Sequence, residues 1–162
     1  GDKEVLSILE NMGAKVTYFD DRIVIKGDKL KGLEIDMNSI PDALPAMAVV
    51  GCFADGETRL VNVPQARLKE TDRISVMCKE LKKMGADISE LSDGLIIRKS
   101  NLKGCEVDGH YDHRVVMALA IAGFNAVGTT VIKTAEAINA TFPEFVSLAE
   151  ECGYDIQLLP EK

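Results

Sequence analysis

The chain repeats itself at long range, and that repeat limits its possible folds more than any other feature. Leu9-Glu10-Asn11-Met12-Gly13-Ala14-Lys15-Val16 returns as Leu81-Lys82-Lys83-Met84-Gly85-Ala86-Asp87-Ile88, and more loosely as Ala149-Glu150-Glu151-Cys152-Gly153-Tyr154-Asp155-Ile156. Met12 and Met84 stand 72 residues apart, and Met84 and Cys152 stand 68 apart. Each copy reads as the last turn of an amphipathic helix, a glycine to end it, and then a strand. A second element pairs Asp42-Ala43-Leu44-Pro45-Ala46-Met47-Ala48 with Asp112-His113-Arg114-Val115-Val116-Met117-Ala118. Each of these runs into a turn, Asp55-Gly56 or Val127-Gly128, and then an apolar strand over 58–63 or 129–133. A period this long signals supersecondary units that bury a shared core rather than one core each.

Each unit is expected to run helix, hairpin, short extended stretch, second helix, strand. The first helices, over 3–12 and 72–84, are amphipathic; the hairpins pair 16–19 with 23–26 and 88–91 with 95–98 across Asp20-Asp21 and Ser92-Asp93-Gly94. The second helices, over 46–53 and 115–124, carry almost no charge, and a helix apolar all round is buried on every side. The pattern predicts an α/β (α+β) fold of pseudo-symmetric repeats, with helices packed inward and mixed sheets outward. The units are placed at 1–66 and 67–134, with the start of a third at 135–162. The chain opens on a helix with Gly1 where an initiator Met would stand, and the third unit holds one helix and one strand. These features predict a piece of a longer polypeptide.

Composition narrows the function. With 46% apolar and 28% charged residues over 162 positions, a folded domain is expected. A net charge of −7 argues against a general nucleic-acid or anionic-membrane surface, so any anion site must be local. No apolar run approaches the ~18 residues of a membrane-spanning helix. Cys52, Cys78, Cys105 and Cys152 form no C-x-x-C pair, and three lie at apolar helical positions, as buried thiols do in a reducing cytoplasm.

Two charged clusters stand where helices should begin: Arg67-Leu68-Lys69-Glu70-Thr71-Asp72-Arg73 and Tyr111-Asp112-His113-Arg114. Amide donors and partial positive charge collect at a helix start, so added cations make an anion site and added Glu, Asp and His supply proton-transfer groups. Thr71, Asp42, Asp112 and Thr141 all occupy N-cap positions, and Thr141 with Glu144 has capping-box spacing. Two readings of Asp42 and Asp112 stand at this point: simple caps, or two carboxylates around a centre of pseudo-symmetry. Lys69, Arg73 and Arg114 are either surface cations paired with Glu70 or Asp72, or the anion site itself. His110 reads as a surface residue. No set of Cys, His and carboxylates has metal-ligand spacing, and no phosphate-binding glycine loop or nucleophile elbow is present. Together the clusters suggest an enzyme of small phosphorylated acids that needs no cofactor.

At these residues the chain resembles the C-terminal part of the 5-enolpyruvylshikimate-3-phosphate synthase family. Leu68-Lys69-Glu70-Thr71-Asp72-Arg73 is the most specific match, supported by Asp112-His113-Arg114, by Asp36-Met37-Asn38-Ser39-Ile40-Pro41-Asp42-Ala43 and by Thr141-Phe142-Pro143. The resemblance implies the enolpyruvyl transferase fold. It also implies transfer of the enolpyruvyl group of phosphoenolpyruvate to the 5-hydroxyl of shikimate-3-phosphate, with release of phosphate. Asp42 would accept the hydroxyl proton, Lys69 and Gln65 would contact shikimate-3-phosphate, and Glu70 would shuttle a proton to the phosphoenolpyruvate methylene. Arg73 and Arg114 would hold phosphoenolpyruvate, and His113 would line the site. Gln65 stands where many members carry Asn, and Ala140 where some carry a phosphoenolpyruvate-binding Lys, for which Lys133 is no obvious substitute. The resemblance implies a missing N-terminal domain as partner, and negligible turnover by this segment alone. The rival readings are a UDP-N-acetylglucosamine enolpyruvyl transferase and a non-catalytic repeat module.

Overall fold

A computed structural model describes residues 3–27 and 29–159. The first repeat holds α1 (Glu4–Met12), β1 (Lys15–Tyr18), β2 (Ile23–Lys26), β3 (Glu34–Asp36), a 3-10 turn at Pro41–Ala43, α2 (Leu44–Phe53) and β4 (Glu57–Val61). A second 3-10 turn, Pro64–Leu68, leads into α3 (Arg73–Lys83), β5 (Asp87–Leu91), β6 (Gly94–Arg98), β7 (Glu106–Asp108), α4 (His113–Phe124) and β8 (Val131–Lys133). A third turn, Ala135–Ala140, precedes α5 (Phe145–Glu151). The fold is α/β, as the period implies. The repeated glycines do what their sequence context predicts: Gly13, Gly85 and Gly153 lie just past α1, α3 and α5 with φ of 114°, 90° and 90°, a region costly for residues with a Cβ.

The sheets are composite. β3 and β4 of the first repeat pair in parallel, and the β5–β6 hairpin of the second repeat joins them through β6 antiparallel to β4, giving the order β3-β4-β6-β5. Among the described residues, β1–β2 and β7–β8 are two-stranded: a hairpin at one end of the chain and a parallel pair at the other. Each is half of the arrangement that the middle sheet completes. The consequence is visible on β2, where Ile23, Val24 and Ile25 are all exposed.

The core lies between the helices and the inner sheet face. α2, α3 and α4 pack on one another, and α2 buries Leu44, Met47, Ala48, Val49 and Cys52. From the sheet, Leu60, Leu95, Ile97 and Ile88 point inward and alternate with more exposed neighbours. Burial pushes the Cys52 thiol up to about 12, so it packs as a small hydrophobe. Cys78 is buried too, but Cys152 is exposed, because α5 ends one residue earlier and its thiol faces an open apolar groove rather than a core. Thr141 and Glu144 form no capping box. α5 begins at Phe145 without a side-chain cap, because the Ala135–Ala140 turn carries the chain past Thr141 before the helix starts.

Candidate active site

Two loops and two helix starts converge at one end of the helix layer. After β4 the chain turns at Asn62, φ 59°, and the Pro64–Leu68 turn carries Gln65. The Gln65 Nε2 donates to Asn38, to the backbone oxygen at 3.0 Å and to Oδ1 at 3.2 Å, joining this loop to the one that precedes α2. Arg67 ties the same stretch to the β5–β6 turn, its Nε donating to Ser92 O at 2.8 Å and its Nη2 to Leu91 O at 2.7 Å. Its Nη1 holds Asp72 Oδ2 at 2.8 Å, and Asp72 Oδ1 accepts from Ser75 N at 3.0 Å. Asp72 is therefore the N-cap of α3, not Thr71: the Arg67 clamp fixes it there, and its charge suits the positive helix end.

Arg73, the first residue of α3, is the centre of the site. It is 1% exposed, so it is not a surface cation. Nε donates to Asp112 Oδ2 at 2.7 Å, Nη2 to Asp112 Oδ1 at 3.2 Å and to Glu70 Oε2 at 2.5 Å, and Nη1 to Asp42 Oδ1 at 2.7 Å. A planar fork suits this bidentate and divergent pattern, which an ammonium could not reproduce. Burial alone would lower the Arg73 pKa, but Asp112, Glu70 and Asp42 together raise it above the ordinary value. Asp112 has no exposed surface and serves twice, since its Oδ1 also accepts from Arg114 N at 2.9 Å at the start of α4.

Asp42 is not a helix cap. It lies in the Pro41–Ala43 turn two residues before α2, and its carboxylate faces Arg73 and Lys69, whose Nζ is 3.1 Å from Oδ1. Partial burial pushes its carboxyl up, but Lys69, Arg114 and Arg73 outweigh that and hold it below the usual range. A depressed folded pKa adds stability above the unfolded value of roughly 3.9, and that stability is lost as pH falls through the folded pKa. Urea midpoints measured from pH 7 to pH 3 are therefore expected to separate the unsubstituted chain from Asp42→Asn at neutral pH and to converge in acid. A constant separation would mean that the Asp42 charge adds no stability.

Lys69, Glu70 and Asp42 are partly exposed, so the cluster has a sealed floor at Arg73–Asp112 and an open mouth above it. Arg114 reaches the same mouth through an Nη1 bond to Asp42 O at 3.3 Å, and it makes no carboxylate pair among the described residues. His113 begins α4 beside it, half-buried. Lys133 pairs with Glu106 Oε1 at 2.6 Å, and Ala140 ends the Ala135–Ala140 turn. All the predicted site residues come from the two loops and two helix starts that meet here.

His110 is a correction. It is half-buried, and its Nε2 lies 3.1 Å from Oε1 of Glu80, a carboxylate with no exposed surface. It matters for the approach to Asp112, where His110 and Tyr111 are consecutive left-handed residues with φ of 52° and 56°. Such non-glycine residues cost on the order of 1–3 kcal/mol each and persist only where surrounding bonds impose them. The sequence reading missed Glu80, Asp108 and Thr134, which impose them here. The signal was available: Glu80 follows Arg73 by seven residues, two turns on along one helix face, and the 72-residue period aligns Asp108 and Thr134 with Asp36 and Asn62.

The sequence profile of EPSP synthase (3-phosphoshikimate 1-carboxyvinyltransferase) matches residues 1–148. The chain belongs to this family. A 3-phosphoshikimate 1-carboxyvinyltransferase of Acetivibrio thermocellus is 69% identical over 156 residues, which cover 96% of this chain and 37% of that protein. The counterpart in Methanocaldococcus jannaschii is 46% identical, covering 98% of this chain and 37% of its own length. The chain thus spans under two fifths of these relatives. Among solved structures, the EPSP synthase of Acinetobacter baumannii superposes with a TM-score of 0.87 at 34% identity, covering 94% of this chain and 39% of that one. The enolpyruvyl transferase NikO of Streptomyces tendae shares the fold, with a TM-score of 0.79 at 20% identity. No helix among the described residues is long and apolar enough to cross a membrane.

Proposed function

We propose that this chain supplies one side of a site that transfers the enolpyruvyl group of phosphoenolpyruvate to the 5-hydroxyl of shikimate-3-phosphate. The observation that carries the reading is the cluster itself: Arg73 buried under three carboxylates, with Lys69 and Arg114 at the mouth. An acidic chain has gathered its cations where two anionic substrates would need them.

In this reading Glu70 gives a proton to the phosphoenolpyruvate methylene, making the adjacent carbon electrophilic. The 5-hydroxyl oxygen bonds to that carbon and its proton passes to Asp42, leaving a tetrahedral adduct. The carbon–oxygen bond to phosphate then breaks, phosphate departs with the proton that Asp42 took up, and Glu70 takes a proton back from the methyl group to restore the double bond. Lys69 sits beside Asp42, within reach of the reacting oxygens, and Gln65 faces the shikimate side. Arg114 and Arg73 hold the carboxylate and phosphate of phosphoenolpyruvate, and His113 lines the wall. Because Arg73 Nη2 is held by the exposed Glu70, an incoming substrate anion that takes that N–H frees the Glu70 carboxyl group for its two proton transfers. The rest of the polypeptide would close the other side, and the reaction would run in the cytoplasm without a metal or cofactor.

The binding-module alternative has one observation in its favour, the exposed Ile23, Val24 and Ile25 of β2. Those side chains belong to a half-sheet of the kind completed by β3–β4 in the middle of the chain, so they need no foreign partner. The test replaces the matching segment of the Acetivibrio thermocellus relative with this chain. The hybrid is expected to release phosphate from phosphoenolpyruvate only with shikimate-3-phosphate present, whereas the 162-residue chain alone binds both weakly and turns over negligibly. A folded hybrid without activity would sink the proposal, and activity on UDP-N-acetylglucosamine would move it to the sister reaction.

A further inference from the structure

The two repeats approach their carboxylates differently, and the difference is built from residues the proposed mechanism does not use. In the first repeat Asp36 Oδ1 accepts from Asn38 N at 2.9 Å and Oδ2 from Asn62 Nδ2 at 3.0 Å, with Asn62 at φ 59°. In the second, Asp108 Oδ1 accepts from His110 N at 2.7 Å and from Thr134 Oγ1 at 3.1 Å, with Thr134 at φ 58°. All three correspondences keep the 72-residue period, but Asp42 and Asp112 are only 70 apart. The second loop is two residues shorter, and it closes the gap with left-handed His110 and Tyr111.

α3 grips this shortened loop at both ends. Glu80 Oε2 accepts from Asp108 N at 3.0 Å while Oε1 meets His110 Nε2 at 3.1 Å, and two turns earlier Arg73 holds Asp112. Lys83 Nζ, 2.6 Å from Oε2, balances the buried carboxylate. Tyr111 N donates to Thr134 Oγ1 at 3.2 Å, and a Cβ on Gly109 would fall 2.2 Å from Val116 Cγ2, so the loop packs against α4 too closely for a side chain at that position. The first repeat has Ile8 and Asn38 at the positions of Glu80 and His110, and its loop contains no left-handed non-glycine residue.

We infer that Glu80 and His110 are positioning residues for the transfer reaction: their contact holds the strained 108–112 loop so that Asp112 meets Arg73 in the geometry the site requires. This rests on the proposed function, since the loop sets catalysis only if Arg73 serves it.

The test uses the hybrid for kinetics and the 162-residue chain for spectroscopy. His110→Ala is expected to lower kcat about tenfold or more while KM for phosphoenolpyruvate moves less than about threefold. His110→Gln, which keeps an N–H within reach of Glu80, is expected to recover most of that loss. In the 162-residue chain the Arg73 Nε–H should exchange with solvent about tenfold faster in His110→Ala, with the α2 amides unchanged. Glu80→Gln should move both readouts in the same direction and stands in if His110→Ala fails to fold. Unchanged kcat with unchanged Arg73 exchange overturns the inference, as does a loss that glutamine cannot restore. If the unsubstituted hybrid is inactive, the proposed function fails separately, and the Arg73 exchange rate alone decides whether the loop positions Arg73.

Discussion

Arg73→Met is expected to lower the unfolding free energy by about 3–5 kcal/mol, the cost of removing one partner from a buried charge cluster. The guanidinium is enclosed by Asp112, Glu70 and Asp42, and Asp112 has no exposed surface, so no water can replace the lost donors there. Arg73→Lys should recover only part of the loss, since one ammonium cannot reach three carboxylates lying in different directions. Urea unfolding of Arg73→Met and Arg73→Lys beside the unsubstituted chain checks both statements. A midpoint equal to that of the unsubstituted chain would show that the cluster contributes no net stability.

Lys69→Met should have the contrary profile. Its ammonium contacts Asp42 Oδ1 at 3.1 Å in the partly exposed mouth, where an ion pair contributes about 0–1 kcal/mol to folding. In the hybrid, kcat is expected to fall about 10²- to 10³-fold, the loss typical for one preorganised charge-stabilising donor. Near-normal turnover with reduced stability would make Lys69 a structural residue. The pair of variants separates the two layers of the cluster, a floor that holds the fold as well as substrate and a mouth that contributes to the chemistry with little effect on folding.

Much of this was legible in the sequence because it was written there twice. The glycine-ended helices, the charge-free second helices and the hairpins are local patterns, and repetition at 72 residues turned weak signals into consistent ones. Repetition placed Asp42 and Asp112 around one pseudo-axis, whereas the gathering of Lys69, Glu70, Arg73 and Arg114 beside them was implied by the family resemblance and depended on that packing. What stayed hidden depends on side chains reaching across repeats. Thr71 and Asp72 are equally good caps by residue type, and only the Arg67 bond decides between them. Asp42 looks like a cap because an acidic residue stands where the helix should begin, yet a 3-10 turn delays the helix to Leu44 and frees the carboxylate. His110 reads as a surface residue and Glu80 belongs to no motif, since only the 72-residue register shows that a shortened loop sets one against the other.

The interleaved sheets carry a consequence for how such a chain could arise. A hairpin from one 72-residue copy finishes the sheet begun by the copy before it. Duplicating that stretch therefore never yields two finished bodies joined by a tether; each new copy is born interlocked with its predecessor and leaves an open seam at either end. Tandem copying thus moves the seam along the chain without removing it, until a capping element covers it or the last seam meets the first.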